Sequence, residues 1–220
     1  MTAELRVVGD APAEAGALLA EAARVGGVLA LSGGHTAGAA YQAAAALEPD
    51  WSAVDVWFGD DRAVPPDDEH SNYRLVRETL LDAITPRSVW RIEGELGAEE
   101  AAARYDDFVD DVPIAFAFNG IGSDAHTASL FPNAPALRER ERRVVAVEGQ
   151  LEPFVPRVTM TIPVFARVEL LVYLVTGADK ADAVRRAFGG EPSEDAPASL
   201  VRGRRTIVVL DDAAAAQLGQ

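Results

Sequence analysis

The alternation of two kinds of segment constrains the fold of this chain more than any other feature. Short runs rich in valine, isoleucine and leucine alternate with alanine-rich segments whose apolar residues recur at the period of a helix. This alternation is typical of strands and crossover helices in a largely parallel sheet. The predicted buried strands are 5–8, 28–31, 54–58, 114–118, 170–175 and 207–210, with shorter or edge strands at 144–147 and 158–162. The predicted helices are 13–24, 37–47, 72–82, 98–109 and 180–188.

Length and composition favour one domain. The chain has 220 residues, 49% of them hydrophobic, which suits a single core at the upper end of the usual size. No internal repeat is present, and the polar, proline-bearing stretch 189–197 lies too near the end to separate two domains. We therefore predict a single α/β domain over 1–220, with a surface loop at 189–197. A division into two domains is possible but not needed.

The charge of the chain limits its partners. A formal net charge of −15 argues against nucleic acid, which is bound by clustered lysine and arginine. A small anionic substrate remains possible, because salt limits the reach of the overall charge to about 8 Å, so a few cations in a cleft can dominate there.

Features that the sequence lacks exclude cysteine chemistry and argue against export or a membrane span. The chain has no cysteine, so disulfides, thiolate metal sites and cysteine nucleophiles are excluded. The first ten residues lack the pattern of a signal peptide, and every apolar run is interrupted well before about 20 residues. We therefore expect a cytoplasmic protein without a membrane partner.

The residues after the second predicted strand are suited to binding an anion. Gly33, Gly34, His35 and Thr36 lead directly into a predicted helix. Backbone N–H groups in such a turn, together with the amino terminus of a helix, attract negative charge. A paired glycine between a strand and a helix is, however, more often only a tight turn, and neither a dinucleotide-binding nor a P-loop spacing is present.

The third predicted strand is followed by charged and amide residues. Asp60, Asp61 and Arg62 come first, and Arg62 could bind a phosphate through two parallel hydrogen bonds. The alternative is a solvated acidic loop in which Arg62 pairs with its own aspartates. The acidic run at 67–70 does not indicate a metal, because consecutive acids in such a loop are usually solvated. Ser71 and Asn72 fit either a helix cap or a ligand-binding pair.

A glycine-rich loop after the predicted strand 114–118 contains the best candidate for a catalytic base. His126 lies two residues after Asp124, and a histidine with an ordinary pKa near 6.5 can activate water at neutral pH. A structural histidine is the competing interpretation. The chain contains neither a G-x-S-x-G elbow nor an H-E-x-x-H helix, which weakens serine-esterase and zinc-hydrolase assignments. Ser129 has no base partner in the sequence and fits a hydroxyl bonded within its loop better than a nucleophile.

Two further cations lie near strand ends. Lys180 is the single lysine among 20 lysine and arginine residues, and it follows the predicted strand 170–175. In a chain that otherwise uses arginine, a retained lysine suggests a site that needs a compact ammonium, although chance retention is equally compatible with the composition. Arg157 directly precedes the predicted strand 158–162, where a surface arginine is also common.

These segments, in this order, resemble the 6-phosphogluconolactonase family over nearly the whole chain. The matching segments are SGGHTAG at 32–38, DDRAVP at 60–65 with SN at 71–72, GIGSDAHTASLFP at 120–132, PRVTMT at 156–161, VTGADK at 175–180 and PAS at 197–199. The stretch from Asp124 to Pro132 is the specific part, because related aminosugar-phosphate deaminases carry an acidic residue a few positions after the histidine. Here residues 127–132 contain no acid.

The resemblance implies a three-layer α/β/α fold with a mostly parallel, Rossmann-like sheet, as in sugar-phosphate isomerases and deaminases. It implies hydrolysis of 6-phosphoglucono-δ-lactone without a cofactor or metal, in the pentose phosphate pathway. His126 matches the general base, which Asp124 or Asp60 would assist by orienting the histidine or the water. The implied substrate and phosphate pocket consists of Gly33, Gly34, His35, Thr36, Arg62, Ser71, Asn72, Arg157 and Lys180, with Arg62 and Lys180 clamping the phosphate.

Four positions depart from the family pattern: His35, Ala37, Asp61 and Ala125 stand where serine, proline, glutamate and glycine are usual. If position 125 requires a positive φ, the methyl group adds strain of about 1 kcal/mol. Two rivals remain, namely a sugar-phosphate isomerase or deaminase and a non-catalytic sugar-phosphate sensor. The chain has neither the spare length nor the basic charge for the DNA-binding helices that such sensors carry. Both a monomer and a homodimer are compatible with the sequence.

Overall fold

A seven-stranded parallel sheet forms the centre of the molecule. The computed structural model describes residues 3–109, 112–152 and 154–219. The strands of this sheet are β1 (Glu4–Val7), β2 (Gly27–Leu31), β3 (Val54–Phe58), β5 (Ser88–Val89), β6 (Ile114–Asn119), β9 (Leu170–Val175) and β10 (Arg205–Leu210). Their order is β1-β10-β9-β6-β2-β3-β5, and every neighbouring pair is parallel. The predicted parallel α/β sheet is therefore confirmed.

A second, smaller sheet lies beside the first. It contains β4 (Asp60–Arg62), β8 (Arg157–Met160) and β7 (Val144–Val147), in the order β4-β8-β7, and both pairs are antiparallel. The residues of β4 directly follow β3, with only Gly59 between them. The chain therefore passes from the large sheet into the small one at the carboxyl end of β3.

Helices flank the central sheet, as the three-layer prediction requires. They are α1 (Ala11–Val25), α2 (His35–Ala46), α3 (Asn72–Thr79), α4 (Ala98–Phe108), α5 (Ile162–Phe165), α6 (Ala181–Phe188) and α7 (Asp212–Ala215). Helix α1 packs against α2 and against strands β9, β10, β2 and β6. Because helices cover the sheet, the inner strands are almost continuously buried, and their sequences read as unbroken apolar runs. No helix in the described ranges is long and apolar enough to span a membrane.

Most predicted elements match within one or two residues, but several predictions were wrong in detail. The strand predicted at 5–8 is β1, which is an exposed edge strand rather than a buried one, because only β10 pairs with it. The strand predicted at 158–162 ends at Met160, because Pro163 initiates the short helix α5. The helix predicted at 72–82 ends at Thr79 and continues as a separate 3₁₀ turn over Leu81–Ala83.

The carboxyl ends of four adjacent strands bring the predicted site segments together. In the order β9-β6-β2-β3, these strands end just before Thr176, Gly120, Ser32 and Gly59. Strands β2 and β6 are neighbours, but the next strand of this sheet after β2 is β3 on one side and the next after β6 is β9 on the other, so the crossovers from these two strands run in opposite directions. Crevices at such points are where open α/β sheets bind ligands.

Candidate active site

A cleft of about 150 Å³ opens at this edge of the sheet. It is lined by the turn after β2, by β4, by the loop after β6 and by the start of β8. The lining residues are Ser32, Gly33, Gly34, Asp60, Arg62, Asn72, Gly120, Ile121, Gly122, His126, Ala128 and Arg157. Of these, Ile121 and Ala128 carry no chemical signature in the sequence and are identified only by their position in the glycine-rich loop.

A second cavity of about 260 Å³ adjoins the cleft. The two share Gly33, Gly34, Gly120 and Ile121, so the glycine turns separate them. The second cavity contains three of the predicted binding residues, His35, Thr36 and Lys180, together with Thr176. The structure therefore divides the predicted phosphate-binding residues between two adjoining cavities. Ser71 and Asp124 line neither of them.

His126 is held by a carboxylate on one side of its ring. Its Nδ1 atom lies 2.6 Å from Oδ1 of Asp124, and its backbone N–H donates to the same oxygen at 3.1 Å. An ionised Asp124 can only accept, so Nδ1 is the donor of this bond and Nε2 is the ring nitrogen that remains for a ligand. No hydrogen bond to Nε2 is formed within the described part of the chain. The ring also packs against Phe131, with 5.0 Å between ring centroids.

The Asp124 carboxyl is tuned to remain ionised. Burial acts to raise its pKa, but hydrogen bonds and charge interaction with His126 outweigh this effect, so the pKa of Asp124 lies below its ordinary value. The neighbouring Gly122 is required by the same geometry, because a Cβ atom there would lie 2.0 Å from Nδ1 of His126. The loop is therefore shaped around the histidine ring.

Ala125 adopts the positive φ that the sequence analysis considered for this position. Its φ is +69°, in the left-handed region, and the residue is fully buried. Its backbone N–H donates to the carbonyl of Gly122 at 2.9 Å, and its carbonyl accepts from Ala198 at 3.0 Å. These bonds on both sides hold the turn that presents His126. A left-handed alanine costs about 1–2 kcal/mol relative to a right-handed one.

Two guanidinium groups face each other across the small sheet. Arg62 and Arg157 are direct cross-strand partners in the β4–β8 pair. Like charges opposite one another destabilise a sheet, so this placement indicates a site for negative charge. Burial lowers the pKa of Arg157, and the nearby charge of Arg62 lowers it further. Arg157 also stacks over Phe131 at 5.3 Å and donates to the carbonyl of Leu151 at 3.2 Å.

Arg62 is flanked by two aspartates but pairs with neither. Within the ranges that the structure describes, its side chain forms no ion pair with a carboxylate. Its Nη1 atom donates to the carbonyl of His70 at 2.9 Å and to Oδ1 of Asn72, and its buried Nε atom has no partner. The alternative of an arginine neutralised by its own aspartates is therefore wrong. The positive charge of Arg62 faces the cleft without a balancing carboxylate.

Asp61 has a structural role that the sequence did not indicate. It is 2% exposed, and it accepts the backbone N–H groups of Arg62 at 2.7 Å, Asn72 at 2.6 Å and Tyr73 at 3.0 Å. It therefore anchors the first turn of α3. Burial raises its pKa to about 6, although these hydrogen bonds act in the opposite direction. Ser71 is the N-cap of α3, with its Oγ accepting from the N–H of Arg74 at 3.2 Å.

Asp60 is buried at the edge of the cleft and is fixed by two neighbours. Its Oδ2 atom accepts from Oγ of Ser129 at 2.7 Å, and its Oδ1 atom accepts from Nδ2 of Asn72 at 3.2 Å. Ser129 is fully buried, and its hydroxyl donates to Asp60 of β4, so the prediction of a hydroxyl bonded within its own loop was wrong. A buried hydroxyl that donates to a carboxylate is poorly placed to attack a substrate.

The second cavity combines a helix amino terminus with an ammonium group. Gly34 is the N-cap of α2 and supplies no side-chain hydrogen bond to the first turn, so N–H groups remain available to a ligand. Lys180 lies at the end of the 3₁₀ turn Ala178–Lys180, with Nζ 3.6 Å from the exposed carboxylate of Asp179. Thr36 and Thr176 meet across the cavity, 3.2 Å apart between hydroxyl oxygens. This combination favours an anion such as a phosphate.

The fold and the two cavities define an α/β protein with a cleft in which a histidine paired with an aspartate lies near two arginines. Among known proteins, a family model described as "Glucosamine-6-phosphate isomerases/6-phosphogluconolactonase" matches residues 8–209, and the chain belongs to this family. A 6-phosphogluconolactonase of Streptomyces coelicolor is 37% identical over 222 aligned positions, covering 90% of this chain and 85% of the relative.

Solved structures show the same architecture. The 6-phosphogluconolactonase of Leishmania guyanensis superimposes with a TM-score of 0.82 at 25% identity, covering 97% of this chain and 98% of that one. A monomeric glucosamine-6-phosphate deaminase superimposes equally well, with a TM-score of 0.82, 21% identity and coverage of 99% and 100%. At that identity the second likeness shows only the fold, so the fold does not distinguish hydrolysis from deamination.

Proposed function

We propose that this protein hydrolyses 6-phospho-D-glucono-1,5-lactone to 6-phospho-D-gluconate, as a cytoplasmic enzyme of the oxidative pentose phosphate pathway. The observation that carries the proposal is the pairing of Asp124 and His126 at a cleft that also holds Arg62 and Arg157. The relative in Streptomyces coelicolor, which bears the lactonase name, supports the same reaction.

The substrate carries negative charge at one end and develops it at the other. Its phosphate is attached to C6, whereas the reacting carbonyl is C1. Two adjoining cavities suit such a molecule. We assign the phosphate to the cavity of Lys180 and the amino terminus of α2, and the lactone to the cleft of His126. This replaces a joint phosphate clamp by Arg62 and Lys180, because these two residues line different cavities.

In the proposed reaction, His126 first accepts a proton and later returns it. Its Nε2 atom takes a proton from a water molecule, and the water oxygen attacks C1. The carbonyl oxygen becomes an oxyanion, which the guanidinium groups of Arg62 and Arg157 stabilise. The bond between C1 and the ring oxygen breaks, and that oxygen receives the proton from His126 and becomes a hydroxyl. Asp124 stabilises the transient imidazolium, and Asp60, which lines the cleft, orients the water.

Hydrolysis is favoured over isomerisation or deamination by one local feature. In the related deaminases an acidic residue follows the histidine by a few positions. Residues 127–132 of this chain contain no acid, so this stretch offers His126 no carboxylate partner. The only side chains that this stretch offers for proton transfer are hydroxyls. Thr127 donates to the carbonyl of Gly120 at 3.0 Å, and Ser129 donates to Asp60. Both hydroxyls are thus engaged within the protein.

The test is turnover of freshly generated 6-phospho-D-glucono-1,5-lactone, corrected for spontaneous ring opening. We expect His126→Gln to lower kcat by about 10² to 10⁴ because the general base is lost. We expect Lys180→Ala mainly to raise KM, since phosphate binding helps the ground state and transition state alike. His70→Gln is the matched control, because the side chain of His70 lines neither cavity. An undiminished kcat in His126→Gln rejects the base assignment, and a wild type without turnover rejects the reaction.

A further inference from the structure

Asn72 lies between the carboxylate of Asp60 and the guanidinium of Arg62. Its Nδ2 atom donates to the carbonyl oxygen of Asp60 at 2.9 Å and to Oδ1 of Asp60 at 3.2 Å. Its Oδ1 atom accepts a hydrogen bond from Nη1 of Arg62. One neutral amide therefore presents a donor to the negative group and an acceptor to the positive group. The amide bonds to both charged groups and lies between them.

Both polar groups of the Asn72 amide already have hydrogen-bond partners in the protein. The residue is 2% exposed, and both polar ends of its side chain bond to protein atoms. Its place at the cleft is therefore structural, which differs from the predicted role of Asn72 as a substrate ligand. An amide that binds two charged neighbours acts on the substrate only through them.

We propose that Asn72 is a positioning residue that prevents Arg62 from forming an ion pair with Asp60. This proposal rests on the proposed function, because it assigns to Arg62 the stabilisation of the negative charge that develops on the carbonyl oxygen of the lactone. A guanidinium already neutralised by a carboxylate attracts an oxyanion much less strongly than one bonded to neutral oxygens. Within the residues that the structure describes, the Arg62 side chain bonds to the amide of Asn72 and to the carbonyl of His70, which are both neutral.

The surroundings hold the amide in this orientation. Asp61 accepts the backbone N–H of Asn72 at 2.6 Å, which fixes the first residue of α3. Ser129 donates to the other carboxylate oxygen of Asp60 at 2.7 Å, so Asp60 cannot turn freely towards Arg62. On the opposite side, Gly33 leaves the space that the amide fills, because a Cβ atom there would lie 1.8 Å from Oδ1 of Asn72.

The test first removes the amide of Asn72 and then also removes the negative charge of Asp60. In ligand-free crystals of Asn72→Ala, we expect Arg62 to move into an ion pair with Asp60. We expect the affinity for 6-phosphogluconate, measured by calorimetry, to fall about tenfold because a charge-assisted contact is lost. In the double variant Asn72→Ala with Asp60→Asn, no carboxylate captures Arg62, and the affinity should return to within about threefold of wild type. Arg74→Ala, an exposed change on the same helix, is the control.

Each outcome decides the proposal. An unmoved Arg62 with unchanged affinity in Asn72→Ala overturns it. A lost affinity that Asp60→Asn does not restore also overturns it, because a merely structural defect would persist in the double variant. If wild type fails to bind 6-phosphogluconate, the proposed function fails, while the ligand-free crystals still report on Arg62 and Asp60. If Asn72→Ala does not fold, Asn72→Ser, which is too short to reach both groups, takes its place in every measurement.

Discussion

Gly33 and Asn72 should be strongly coupled in their effect on stability. A Cβ atom on Gly33 would lie 1.8 Å from Oδ1 and 2.5 Å from Cγ of Asn72. These distances are far below van der Waals contact, so in Gly33→Ala the amide must move. Because the amide is buried and bonded to Asp60 and Arg62, it cannot move without breaking those bonds.

The cost follows from the bonds that are lost. Hydrogen bonds to charged groups contribute about 1.5–3 kcal/mol each, so losing those to Asp60 and Arg62 should lower the free energy of unfolding by about 3 kcal/mol or more. In Asn72→Ala the obstructing atoms are gone. Gly33 does not have a positive φ, so alanine is conformationally allowed there. In that background, Gly33→Ala should change the free energy of unfolding by less than about 1 kcal/mol.

The four proteins of this cycle can be compared by urea unfolding, followed by tryptophan fluorescence. We expect a coupling free energy of about 2–3 kcal/mol between positions 33 and 72. Gly120→Ala is the matched control, because a Cβ atom there meets nothing within 4 Å. If the two single changes add to within about 0.5 kcal/mol, the reasoning that Gly33 exists to accommodate Asn72 is refuted.

Three further predictions concern stability and the hydroxyl in the site. Burial raises the pKa of Asp61 to about 6, so the folded state binds its proton more tightly than the unfolded state does. As the pH rises from 4 to 6, the free energy of unfolding should therefore fall by about 2 kcal/mol from this group, and urea unfolding of Asp61→Asn should lack that decrease. A variant that keeps the full decrease would contradict the assignment. Ala125→Gly should change stability by less than about 1 kcal/mol, because the strain relieved at φ +69° is offset by the lost burial of a methyl group. Ala125→Val should cost more than about 2 kcal/mol, because a branched side chain is poorly tolerated at positive φ; similar unfolding midpoints for the two variants would argue against strain at this position. Ser129→Ala should destabilise the protein by about 2 kcal/mol through the lost bond to Asp60 but keep lactone turnover within about tenfold. A loss of turnover of about 10³ or more would instead indicate a nucleophilic serine.

The sequence alone determined the central sheet and the segments that meet at its edge. Buried parallel strands are covered on both faces, so each reads as a local apolar run. The predicted strands 54–58 and 170–175 coincide with β3 and β9. Site candidates could be located for the same reason, because the residues that follow parallel strands gather at one edge. His126 and Lys180 were therefore predictable as neighbours of a cleft.

The tertiary structure decided how those candidates divide and which of them touch. The strand β4 has no apolar pattern and exists only because β8 pairs with it, so the opposition of Arg62 and Arg157 could not be read from local sequence. Likewise, the separation of Arg62 from Asp60 depends on an amide contributed by α3. These contacts join segments that are distant in the chain, and their register is set by packing rather than by local periodicity. Sequence patterns record which face of an element is buried, but only the folded chain determines which buried groups meet.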